Sequence, residues 1–439
     1  MIITIDGETF LGKSSVAKLV AKRLDFLHIS LGVFFKALIY IFLENNIDLS
    51  NVKLLEKEVP NACKRISFYN TSIFYDSEDI TEKIECTDIY EKCSIISANE
   101  KIKAAVIKSA KRLVRSDNVV MDGREIGTIV FPEADFKFFF TSSEDRFNTN
   151  NESKKALLDA LKYKNEQDIK NGIVKCPDKA VRICVNNFKN KEELAEFIVD
   201  LIIKKSISVI RPRSTVALIP ARSGSQGIKN KNITLINGKP LLAYSVETAL
   251  TLKGINKAYI TTDSTRYIKI AKQYGPICPI LRPKRIALSN SVDLEYVKHF
   301  LFKIYSLEGW LPAKIVLLRP TTPLRDGKII DQALNKIKKH PEATSLRSVQ
   351  KASFSPYKMF KIGADGFYKP LFESMTLDDC NLPRQLFETC YVPNGYVDVL
   401  LVEHILKTDT LFGDRIIAFE VEQTVDIDCK RDLNNLKRK

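Results

Sequence analysis

Leu218-Ile219-Pro220-Ala221-Arg222-Ser223-Gly224-Ser225-Gln226-Gly227-Ile228-Lys229-Asn230-Lys231-Asn232 lies in the middle of the chain and reads as the start of an enzyme domain. An apolar strand over 215–219 runs into a Gly/Ser loop that carries an arginine, and a lysine and an asparagine follow nine and ten residues after that arginine. Such a loop makes a phosphate cradle. Glycines let backbone N–H groups come close to an anion, while guanidinium and ammonium groups neutralise the charge that grows on phosphate during transfer. A basic Gly-rich loop on its own is equally well a solvated turn, so its weight rests on the sequence around it.

A second strand-then-glycine start stands at the head of the chain, where Gly7-Glu8-Thr9-Phe10-Leu11-Gly12-Lys13-Ser14 satisfies the Walker A pattern between a strand and a helix. In that context backbone N–H groups, the helix N-terminus and Lys13 would hold phosphates, and the Ser14 hydroxyl would meet Mg²⁺. Each start opens its own α/β domain. Between them, 195–205 has the spacing of an amphipathic helix and 206–214 has linker composition, which places a boundary near residue 210 and domains at 1–208 and 214–439. Strands are expected over 2–5, 119–121, 136–140 and 181–185, then over 216–219, 258–261, 315–318, 397–402 and 416–421. Continuous apolar runs of this kind suit a parallel sheet covered on both faces, with helices such as 14–24 and 240–252 in the covering layers.

The 439 residues suit two to three domains, and 45% hydrophobic with 28% charged residues is enough apolar material for full cores. A net charge of +15 fits either nucleic acid or anionic small substrates. The basic residues are spread along the chain and no nucleic-acid module appears, so nucleotides are favoured. Nine cysteines without a CxxC pair, and only four histidines, speak against a zinc site and a disulfide framework, and point to a reducing, cytoplasmic compartment. The first residues already read as a strand rather than a cleavable signal. The most apolar run, 33–43, contains Lys36 and is far shorter than the roughly 20 residues a bilayer needs, so it reads as a buried helix and no membrane partner is expected.

From residue 214 onward the chain resembles the N-acylneuraminate cytidylyltransferases, which make CMP-activated nonulosonic acids. The loop at 218–232 is similar to the family's signature, and further segments follow in the family's order: Thr261-Thr262-Asp263-Ser264, then Leu281-Arg282-Pro283 with Ala287-Leu288-Ser289, then Arg319-Pro320-Thr321-Thr322-Pro323-Leu324-Arg325. Leu382-Pro383-Arg384-Gln385, Val392-Pro393-Asn394-Gly395 and Thr424-Val425-Asp426-Ile427-Asp428 complete the set. The resemblance implies a Rossmann-like nucleotide-diphospho-sugar transferase fold, CTP and an acidic nine-carbon sugar as substrates, Mg²⁺ as cofactor and a homo-oligomer, expected to be a dimer. It implies that Arg222, Ser225 and Lys231 hold the nucleotide phosphates, Ala221 also binds CTP, Asn232 and Arg282 select base or ribose, and Arg319, Lys358, Arg384 and Asn394 face the sugar. Asp426 and Asp428 match the family's metal pair. Read on a strand, i and i+2 share a face, and Mg²⁺ is typically held by one or two carboxylates plus substrate phosphates. Arg319 stands where a glutamine is frequent, Gln226 replaces a lysine, Asn290 an aspartate and Val392 an arginine, which leaves the particular nonulosonic acid open.

Residues 1 to about 205 resemble cytidylate kinase in Ile5-Asp6-Gly7, in Lys13-Ser14-Ser15-Val16-Ala17-Lys18, and in Asp122-Gly123-Arg124-Glu125-Ile126-Gly127-Thr128 with Phe131-Pro132. That implies a P-loop nucleoside-monophosphate-kinase-like fold with ATP at Gly7, Gly12, Lys13 and Ser14, and CMP at Lys36, Ser94, Arg124, Glu125 and Asp168. Several charged positions of that family have changed. Phe10 takes a glycine position, Ser30-Leu31-Gly32-Val33-Phe34-Phe35-Lys36 lacks the family's aspartate and arginine, the lid reads Phe147-Asn148-Thr149-Asn150-Asn151, and a later element keeps Asp168 but has Lys164, Asn165 and Asn171. Phosphoryl transfer depends on such charges, so nucleotide binding with poor CMP phosphorylation is expected. An active kinase returning CMP toward CTP, and a non-catalytic binding or scaffolding module, are the alternatives.

Overall fold

The computed structural model describes residues 1–8, 11–69, 72–86, 89, 92–93, 96, 99–114, 117–143, 174–224, 228–422, 424–427 and 432. It forms two compact units: Met1–Val209 with Glu295–Leu311, and Ile210–Leu294 with Pro312–Lys439. The break at 209/210 lies where composition places it. Glu295–Leu311, read from sequence as part of the second domain, falls instead with the first unit. Its Phe302 meets Phe26 edge-on at 5.0 Å, and both side chains are buried.

The first unit is built on a five-stranded sheet in the order Leu27–Ser30, Val119–Asp122, Ile2–Gly7, Phe136–Thr141, Val181–Cys184, all pairs parallel. The central strands are short and mostly apolar, as a covered parallel sheet requires, whereas the edge strand Val181–Cys184 has Val181 and Arg182 exposed. One covering layer holds the helices Leu31–Glu44, Val52–Arg65 and Glu100–Leu113, whose apolar faces share one core with the sheet. The run 33–43 is thus a buried helix, as read. Asn51, Asn99 and Asn190 accept backbone N–H groups at the starts of three helices and so satisfy donors that have no partner inside the helix.

The second unit carries a seven-stranded sheet in the order Cys278–Leu281, Lys257–Thr262, Ile210–Pro220, Leu311–Leu317, Tyr391–Leu401, Ser345–Lys351, Ile416–Glu420. It is mixed rather than wholly parallel: Tyr391–Leu401 runs against both of its neighbours. The segment read as a linker is also regular, since the helix Lys191–Ser208 runs directly into the eleven-residue strand Ile210–Pro220. The chain winds outward from Ile210–Pro220 on one side and then returns to its other side with Leu311–Leu317. That reversal is a topological switch point, where the loops beyond the strand ends leave a crevice. The antiparallel course of Tyr391–Leu401 brings its N-terminal end to the same edge.

All described cysteines are unbridged. Among the described residues, no helix is long and apolar enough to cross a membrane.

Candidate functional site

In the first unit the strand Ile2–Gly7 ends in the Walker loop, and the helix Lys13–Leu24 begins after Gly12, whose φ of 74° needs a residue without Cβ strain. Gly7 is held still more tightly. A Cβ there would lie 2.3 Å from the Phe140 carbonyl oxygen. Lys13 Nζ donates to the Glu8 carbonyl at 2.5 Å, and Ser14 Oγ donates to Asp122 Oδ2 at 2.5 Å. Burial lowers the Lys13 ammonium to about 8, with the Asp122 charge opposing. Asp122, at the end of the neighbouring strand, also has His28 Nε2 at 2.7 Å and the Ser30 hydroxyl at 3.3 Å. Burial pushes its carboxyl up, but the hydrogen bond and charge of His28, the Ser14 hydroxyl and the Lys13 charge outweigh that and hold it below the usual range.

Asp6 accepts the backbone N–H groups of Ile126 and Gly127 at 2.7 and 2.8 Å and so fixes the loop that carries Arg124 and Glu125. Burial raises its carboxyl to about 6, against those two hydrogen bonds. Glu125 pairs with Lys103 at 2.5 Å, and Lys36 pairs with Glu85 at 2.9 Å. Ser94, Asp168, Phe10, and the segments 147–151 and 164–171 lie outside the described residues. Asp122 stands in the sequence at the head of the longer motif over 122–128. Its signal was an apolar run ending in a carboxylate one strand away from a Walker loop.

In the second unit the loops at the switch point draw the second constellation together. Ala221 N–H bonds the Thr261 carbonyl at 2.9 Å, and Asn232 Nδ2 donates to the Arg222 carbonyl at 2.9 Å, closing the glycine loop on itself. Arg222 reaches the Leu288 carbonyl. Arg282, buried, bonds the Thr261 hydroxyl and carbonyl at 3.4 and 3.2 Å. Asp263 accepts both the N–H and the hydroxyl of Ser223, at 2.8 and 2.5 Å, and so shapes the loop from the next strand.

Lys231 Nζ donates to the Ile427 carbonyl at 2.9 Å, and Ile427 N–H bonds the Thr321 carbonyl at 2.8 Å, so Asp426 is carried to the glycine loop. The last strand stops at Glu420, and the backbone at 424–427, which carries Asp426, is irregular. Asp428 and Ser225 lie outside the described residues. Asn394 Nδ2 and Thr322 Oγ1 are buried without a hydrogen-bond partner among the described residues. An unmet donor of this kind is costly unless something else supplies the acceptor.

Arg325 was quoted only as the end of a motif, yet it ties the rim together: its guanidinium donates to the carbonyls of Tyr396, Arg319 and Gly395 at 2.6, 2.7 and 3.1 Å and to Ser245 Oγ at 3.1 Å. Arg319 itself is engaged by two carboxylates, Asp398 at 2.5 Å and Asp293 at 2.6 Å. Lys358 and Arg384 both lie near Phe387. Lys358 lies over the Phe387 ring at 5.9 Å, and Arg384 lines a cavity of about 130 Å³ with Phe387, Lys351, Ser355 and Cys390.

The cytidylate kinase family model matches residues 3–198, and the cytidylyltransferase family model matches residues 216–361. The chain is 37% identical over 164 residues to a cytidylate kinase of Caldanaerobacter subterraneus subsp. tengcongensis, covering 37% of this chain and 71% of that one. It is 32% identical over 223 residues to the N-acylneuraminate cytidylyltransferase of Escherichia coli O18:K1:H7, covering 49% of this chain and 50% of the relative, so it spans about half of that relative's length. A solved CMP:2-keto-3-deoxy-manno-octonic acid synthetase complexed with CTP is 15% identical with a TM-score of 0.37, covering 51% of this chain and 97% of that structure.

Proposed function

Since the chain belongs over its N-terminal half to the cytidylate kinase family and carries a cytidylyltransferase domain after it, we propose that it transfers the cytidylyl group of CTP to a nonulosonic acid such as sialic, legionaminic or pseudaminic acid. The anomeric hydroxyl attacks the α-phosphorus, the new P–O bond forms, and the bond to the bridging oxygen breaks to release pyrophosphate. The observation that carries this reading is the gathering of Arg222, Lys231, Asn232 and Asp426 at the strand switch point. Arg222 and Lys231 would neutralise the phosphates, Asn232 and Arg282 would recognise base or ribose, and Asn394 offers an unmet donor to a substrate oxygen.

Asp426 supplies a hard oxygen donor beside the glycine loop. That fits a Mg²⁺ held by one or two carboxylates plus substrate phosphates, where it would neutralise the triphosphate. The exposed apolar side chains Phe354, Ile362, Phe367 and Tyr368 support a second copy of the chain as partner. The test is pyrophosphate release from CTP by the full-length protein across a panel of nonulosonic acids; folded protein silent with every acid would overturn the reading.

For the first unit we propose triphosphate binding with slow phosphorylation of CMP. The Ser14–Asp122 pair and Lys13 support the binding, and the Lys36–Glu85 ion pair, which occupies the cation of the monophosphate segment, supports the slowness. ADP formation from ATP and CMP measures it. A turnover of about 1 per second or more, abolished by Lys13→Ala, would make this unit an ordinary kinase instead.

A further inference from the structure

Lys191 opens the helix Lys191–Ser208 and is exposed to solvent. A lysine is disfavoured at that position, because the N-terminal end of a helix carries the positive pole of its dipole. The backbone there is nevertheless fixed firmly: Asn190 Oδ1 accepts Glu193 N–H at 2.8 Å, and Glu193 Oε2 reaches back to Lys189 N–H at 2.7 Å. The side chain crosses the Walker loop, so that a Cβ placed on Gly12 would lie 3.3 Å from Lys191 Cε. Its ammonium donates to Ser15 Oγ at 3.2 Å, one residue beyond the Walker serine. Among the described residues it has no carboxylate partner, whereas Lys13 is faced by Asp122, Asp6 and Glu8.

The Lys191 ammonium therefore sits beside the first turn of the helix Lys13–Leu24, at the positive pole of that helix as well as of its own. Such an arrangement is self-repelling until an anion arrives, and local rules broken without compensation are found where a ligand supplies it. We propose that Lys191 is a phosphate-binding residue of the Walker loop, contacting the phosphate nearest the nucleoside of a bound nucleoside triphosphate. Lys13 serves the outer phosphates, and Lys191 stands over Ser15, two residues further along the helix. The proposal rests on the triphosphate-binding reading of this unit. It gives the donor site a cation from the last helix of the unit, in a chain whose lid sequence is poor in arginine.

The experiment is calorimetric titration of the full-length protein with ATP and with ADP, for the unaltered chain and for Lys191→Ala, Lys191→Arg and Lys13→Ala, together with melting of each without nucleotide. Lys191→Ala is expected to weaken ATP and ADP alike by about tenfold, as for loss of one charged hydrogen bond, and Lys191→Arg to restore most of it. Without nucleotide, Lys191→Ala is expected to melt at the same temperature or higher, since a repelled charge is gone. ATP affinity unchanged in Lys191→Ala but lost in Lys13→Ala would overturn the role of Lys191 alone. A lower melting point that accompanies the affinity loss and is not recovered by arginine would make Lys191 structural. No ATP binding by the unaltered chain would overturn the nucleotide reading and this proposal with it.

Discussion

Asp398 is 1% exposed, and each of its carboxylate oxygens is taken by an arginine, Oδ2 by Arg319 at 2.5 Å and Oδ1 by Arg347 at 3.3 Å. Removing one member of a buried ion pair leaves the others uncompensated, so Asp398→Ala is expected to cost about 3 kcal/mol in chemical denaturation. Asp293→Ala removes the solvent-facing partner of the same arginine, 39% exposed, and is expected to cost less than about 1 kcal/mol. Equal losses would show that burial does not set the difference. A second single-residue effect concerns Lys13. Burial brings its ammonium to about 8 in the folded chain from 10.5, so the unfolded chain holds more protons between those values and folding stability rises with pH across that window. Phosphate binding needs the charged form, so ATP affinity is expected to fall as pH rises through about 8. Titrations between pH 7 and pH 9 check it, and a flat profile would contradict the buried position of the lysine.

Among elements, the turn after Val119–Asp122 matters most to the first site, because Asp6 on the central strand pins it through two backbone N–H groups. Gly127 sits inside that clasp. A Cβ there would lie 2.8 Å from Pro177 Cγ, 2.8 Å from Thr4 Oγ1 and 3.0 Å from Asp6 Oδ2. Overpacking of this kind costs about 1–3 kcal/mol, so Gly127→Ala is expected to lower the melting temperature and, by moving the loop off Asp6, to weaken nucleotide binding. An unchanged melt would mean that the turn yields freely. In the second unit the equivalent tie is Arg325, which joins the 319–325 loop to the strand Tyr391–Leu401 through the carbonyls of Gly395 and Tyr396 and closes the loop on the Arg319 carbonyl. The sequence displayed the arginine but not its four acceptors, because those come from three separate elements.

At the scale of the whole molecule, the helix Asp293–Glu308 belongs by sequence to the second half, yet Glu295–Leu311 counts with the first unit. Residues 1–208 expressed alone would uncover Phe26, which is 5% exposed in the full chain and rests against Phe302. Lost aromatic burial of this size is worth roughly 1.5–3 kcal/mol, so the fragment is expected to melt below the first transition of the full chain. Scanning calorimetry of the two would decide it, and coincident transitions would show that the helix adds nothing.

The sequence alone determined the two strand-loop-helix starts, the break near 210, the buried helix over 33–43 and the identity of most strands, because each depends on local spacing, glycine positions and apolar runs. The ties of Asp6 to Gly127, Ser14 to Asp122 and Lys191 to Ser15 span 121, 108 and 176 residues, and no local pattern encodes such pairings. Tertiary structure alone also set the direction of Tyr391–Leu401, the irregular backbone at Asp426 and the pairing of Arg319 with Asp293 and Asp398. A strand's apolar residues are the same whichever way it runs, and a charged side chain's partner is fixed only when the sheet closes and brings distant carboxylates within reach.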